Sequence, residues 1–110
     1  MDAKTDDSER TQLALQSVEA MLDELPTLAD DWDTISRDEQ LAWSLEWGNE
    51  MAKLRRLADG AATGRLNLLQ RERFRILAER TVQSIALIEQ LDLRMPAETV
   101  LAAGQVRVSP

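Results

Sequence analysis

Two stretches of this chain, residues 36–58 and 64–91, repeat apolar side chains every three to four residues, and in both the apolar positions spread too far around the helix for one side to hide them. A step of about 100° per residue puts Leu41, Leu45, Gly48 and Ala52 on one narrow face of the first stretch. A second face carries Trp43, Trp47, Met51, Leu54 and Ala58, with Ser44 and Arg55 between the two. A surface helix needs an apolar stripe only about 100° wide. The spacing therefore predicts a helix buried on two sides, with Gly48 allowing another helix to approach closely. In the second stretch Leu66, Leu69, Ile76, Leu77, Leu87, Ile88 and Leu91 make one broad face, widened by Phe74, Val82 and Ile85. Arg73 and Arg80 fall inside that arc. A charge within an apolar face is rarely buried alone. Either these arginines lie along the core edge with their heads in water, or Arg73, Arg80 and Arg55 meet carboxylates such as Asp30, Asp31 or Glu24, or those of a second copy.

Local signals set the boundaries. Ahead of the two long stretches, Ala14, Leu15, Val18, Met21, Leu22 and Leu25 form one apolar arc, and the spacing predicts a shorter helix over about 8–25 that Pro26 ends. Residues 27–35 read as an acidic connector around Trp32, with room for one helical turn. Ser36 and Glu39 have the spacing of a capping box, and Asp59-Gly60 that of a helix stop. Thr63 or Gly64 opens the next helix. Pro96 suits the first position of a short last helix over 97–103, closed by Gly104. The ends, 1–7 and 105–110, where Val106 and Val108 alternate with polar residues, read as flexible tails.

The chain of 110 residues allows one domain, 1–110. It holds no Cys, His or Tyr. That excludes disulfides, thiol nucleophiles, Cys/His zinc sites, serine or cysteine triads and a histidine switch. The acids around Trp32 lack the ligand spacing of a calcium loop, and Gly60 to Gly64 matches no phosphate-binding loop. No catalytic, cofactor or metal residues are expected, and the chain reads as non-enzymatic. With no signal-peptide pattern and no membrane-length apolar run, a cytoplasmic protein is the expectation. Eleven of the 13 basic residues are Arg, a coding bias suggesting a bacterial or phage source. Residues 1–50 carry a net charge of −11 and residues 51–110 one of +4. The two halves can attract each other, or each can address its own partner.

The expected fold is thus all-α: a helical hairpin of 36–58 and 64–91 with the N-terminal helix laid on it. One helix of about 18 residues cannot cover both wide arcs, so dimerisation is expected to complete the bundle. The expected function is protein binding, to itself or within a larger complex. Trp43, Trp47, Met51 and Leu54 would form the interface, and Arg73 and Arg80 would set its register by meeting acids. An acidic, antitoxin-like inhibitor that occupies a basic nucleic-acid-binding site on a partner is one alternative. A nucleic-acid-associated protein using Arg65, Arg71, Arg73, Arg75 and Arg80 is another.

Overall fold

A computed structural model describes residues 3–105, and every regular element in them is helical. In order these are α1 (Ala3–Asp31), a single 3-10 turn (Trp32–Thr34), α2 (Arg37–Ala62), α3 (Leu68–Gln83), α4 (Ile85–Gln90) and α5 (Glu98–Gly104). No helix among the described residues is long and apolar enough to cross a membrane. The molecule extends 46 × 46 × 19 Å, a slab about two helix diameters thick.

The first helix departs most from the sequence pattern. It starts at Ala3 rather than near residue 8, and it runs through Pro26 instead of stopping there. A proline inside a helix removes one backbone hydrogen bond and crowds the preceding turn, at a cost of about 3 kcal/mol. Burial on both sides of it offsets that cost. Leu22 and Leu25 are buried before it, and Leu28, Ala29 and Trp32 pack on the core after it. Pro26 itself faces solvent.

Ser36 starts α2 as its spacing predicts. Its hydroxyl oxygen accepts from the Glu39 N–H at 3.1 Å, while the Glu39 carboxylate accepts from the Ser36 hydroxyl rather than from the backbone. The far end lies a turn later than expected. Gly60 is helical and buried against Leu66, and the left-handed cap is Gly64, φ 75°. The Arg65 N–H donates to the Gly60 carbonyl at 2.9 Å and the Gly64 N–H to that of Ala61. This pair of bonds closes a Schellman motif.

The expected single helix over 64–91 is two helices. α3 starts at Leu68, where Asn67 and Gln70 form a complete capping box, each side chain accepting from the other's backbone N–H. The break falls at Ser84. Its hydroxyl donates to the Arg80 carbonyl at 2.8 Å, and its N–H is shared between Arg80 and Thr81. A serine bonded back in this way tightens the last turn and competes with the helical ladder. α4 closes with a second Schellman motif, Leu93 N–H to Ile88 and Asp92 N–H to Glu89, with Asp92 at φ 54°. α5 covers the predicted last helix, but Gly104 is more than a cap. It is buried, and a Cβ there would collide with the Ala78 carbonyl of α3. Val106 and Val108 lie outside the described residues.

The core joins Leu15, Val18, Leu22 and Leu25 of α1 to Trp47, Met51, Leu54 and Leu57 of α2, to Phe74 and Leu77 of α3, and to Ile88, Leu91 and Val100. α2 and α3 each pack more closely on α1 than on one another, and α5 lies mainly on α3. The long N-terminal helix therefore packs along both α2 and α3, where a short helix laid on a hairpin was expected.

Candidate interaction surface

The two apolar faces of α2 meet different fates. The wider one is internal. Trp47 and Leu54 are 0 % exposed and Met51 4 %. The Trp47 indole N–H donates to the Arg94 carbonyl at 2.9 Å, so the segment after α4 folds back over the ring. Trp43 stacks on it with 5.9 Å between ring centroids and is half-buried. The expected interface of Trp43, Trp47, Met51 and Leu54 is corrected accordingly: three of the four lie in the core of one chain. The sequence pattern undercounted the cover, because it ended α1 at residue 25 and gave no role to residues 92–95.

A charged group lies on the buried side as well. Glu50 is 7 % exposed, and its carboxylate accepts from the Ser17 hydroxyl at 2.6 Å and from Lys53 Nζ at 2.9 Å. Lys53 also donates to the Ser17 oxygen. The three side chains join α1 to α2, and the buried carboxylate is both paired and hydrogen-bonded, as burial of a charge requires.

Arg73 and Arg80 do meet acids, on their own chain. Arg80 bonds the Asp23 carboxylate at 2.6 Å and Arg73 reaches Glu19 at 3.8 Å. The acceptors are α1 residues rather than Asp30, Asp31 or Glu24, and no second copy is required. Both pairs link the acidic half of the chain to the basic half. Arg75 lies between Glu72, at 2.6 Å, and Glu79. The hydrogen bond from Arg75 lowers the Glu72 carboxyl below its ordinary range, against a smaller opposing effect of desolvation, and the charge of Arg75 adds to the lowering. The same contacts raise Arg75. Three of the five arginines that could face a nucleic acid are thus occupied by carboxylates of the same molecule. The acids at 30, 31 and 33 are exposed around the 3-10 turn, and no cluster of three potential metal ligands forms among the described residues.

The narrow face of α2 is open. Leu45 is 73 % exposed and Leu41 53 %, and Ala42, Asn49 and Ala52 beside them are exposed too. Gly48, at the flank, is half-covered, and among the described residues the Arg94 side chain comes nearest, 3.9 Å from where a Cβ would stand. Between Asp38 and Arg56 this face carries no charge over more than four turns.

Elsewhere among the described residues Leu13 and Met95 stand exposed singly, and charge interrupts the two larger apolar places. Leu69 and Ile76 share a face of α3 with Arg73 and Arg80. Leu68 borders a groove of about 600 Å³ between α2, α3 and α5, floored by Ala58, Ala61, Phe74 and Ala102 and rimmed by Arg71, Glu72 and Arg75.

Comparison of the chain with models of known protein families, with curated proteins and with solved structures finds no match in any of the three.

Proposed function

We propose that this protein acts by binding another polypeptide rather than by catalysis, and that it binds through the outer face of α2. One observation carries the reading: Leu41 and Leu45 stand open, one turn apart, in a strip free of charge. Apolar side chains scattered singly on a surface are ordinary. A continuous strip edged by charged residues is the pattern of an interface. The strip is also one of the two faces whose burial the sequence pattern demands, and the described residues cover only the other. The binding role expected from the sequence is retained, and its surface moves about half a turn around α2.

A photo-reactive amino acid at position 45, introduced in the cells that make the protein, tests this directly. The expected result is a discrete protein adduct from position 45 and none from exposed Glu24 on α1. Equal or absent adducts at the two positions would refute the proposed binding face.

A further inference from the structure

The charges at the ends of this strip say what lies on it. Asp38 begins it and Arg56 ends it, 18 residues or about 27 Å apart along the axis. Both are exposed and point from the same side of α2 as Leu45, within about 20° of it in helical projection. We propose that the strip is occupied by the same strip of a second copy, running antiparallel about a two-fold axis near the middle of α2. This rests on the binding role proposed above and adds the identity of the partner.

A two-fold interface brings a surface onto itself. With the axis beside residue 47, each Asp38 lies against Arg56 of the other copy. Leu45 then packs beside Asn49, and Ala42 beside Ala52. Small side chains at 42, 48 and 52 let the two backbones approach closely, while Leu45 and Asn49 of each copy fill the centre. A parallel arrangement sets Asp38 against Asp38 and Arg56 against Arg56, and like charges in apposition are unfavourable. The next charges outward agree in sign as well: Arg37, one residue before Asp38, and Asp59, three residues after Arg56, are opposite in charge and come near each other across the antiparallel pair. An unrelated partner would place no such demand on this chain for complementarity with itself. A strip one helix wide makes a small interface, and small interfaces belong to pairs that exchange with monomer.

The absence of cysteine makes the register directly testable. Ala42→Cys and Ala52→Cys chains, purified separately and mixed under mild oxidation, should give a mixed disulfide. Either alone should give little, because identical positions in the antiparallel pair are offset by about 15 Å, beyond the reach of a disulfide. Leu45→Glu, at an exposed site, should weaken association at least about tenfold with unchanged helicity. Asp38→Arg or Arg56→Asp should each weaken it about three- to thirty-fold, and the double swap should restore it. Self-disulfides from either cysteine chain at the rate of the mixture overturn the antiparallel arrangement. Association that Leu45→Glu leaves unchanged overturns the face. If the pure wild-type chain stays monomeric while position 45 crosslinks a different protein in cells, self-pairing falls and the binding role stands. If neither occurs, both fall.

Discussion

The same substitution, Gly→Ala, is expected to act with opposite sign at two helical glycines. At Gly104 an added Cβ would collide with the Ala78 carbonyl group and come within 2.9 Å of the Glu79 nitrogen, so backbone rather than a flexible side chain must yield. Overpacking of this kind costs about 1–3 kcal/mol. The chain can also escape by lifting the end of α5, which gives up burial of Val100, 0 % exposed, at about 1.5–3 kcal/mol. Alanine's better helix propensity offsets about 0.5–1 kcal/mol. The net expectation is a loss of about 1–2 kcal/mol, which lowers the melting temperature by roughly 5–10 °C in a domain of this size. At Gly48 the nearest atom is 3.9 Å away at the end of the Arg94 side chain, so only the propensity effect remains. Gly48→Ala should therefore stabilise by about 0.5–1 kcal/mol. Urea unfolding of both variants at low protein concentration, followed by circular dichroism, measures the pair. If Gly104→Ala unfolds at the same urea concentration as wild type or a higher one, α5 does not dock on α3 through Ala78 and the reasoning fails.

Asp92 holds a left-handed conformation at the end of α4, so Asp92→Gly should raise stability by about 0.5–1 kcal/mol in the same urea assay. Trp47→Phe removes the bond to Arg94, about 1 kcal/mol, and leaves a void worth about 1–2 kcal/mol. The variant should lose about 2–3 kcal/mol, and hydrogen exchange should speed up in residues 91–96 ahead of the helices. A carboxyl held below its ordinary 4.5 adds stability that is present above that pH and disappears as the pH falls through the lowered value. Glu72→Gln should accordingly be slightly less stable than wild type at pH 7, with the difference closing below pH 4.5 in acid titrations; a difference that widens on acidification contradicts the Arg75 contact.

Much of the architecture was legible in the residues. The helical class, the Ser36 start, the turn around Trp32, the last short helix and the two-faced character of α2 all follow from spacing and turn chemistry. Pro26 misled because local preference against a helical proline was outweighed by tertiary burial of Leu25 and Leu28, which a local rule does not count. The stop was placed at Gly60, and Gly64, four residues on, was read as opening the next helix. Only Gly64 has the positive φ, and nothing in the local sequence separates them. The Asn67-Leu68-Leu69-Gln70 signal was readable as a capping box and marks the true start of α3. The break at Ser84 was not readable, since serine is tolerated in many helices. For the candidate surface, periodicity identified both faces of α2 and the need for cover. It could not say which face the rest of the chain supplies. That depended on six extra residues at the end of α1 and on the Arg94 carbonyl, 47 positions from Trp47.

A second copy covering the outer face of α2 makes the chain self-associate in solution. Sedimentation equilibrium of the unmodified chain over about 5 to 500 µM measures it, a span that brackets micromolar affinity. The expected mass climbs with concentration from 12.4 kDa toward twice that value. A mass that stays at 12.4 kDa across the range contradicts it.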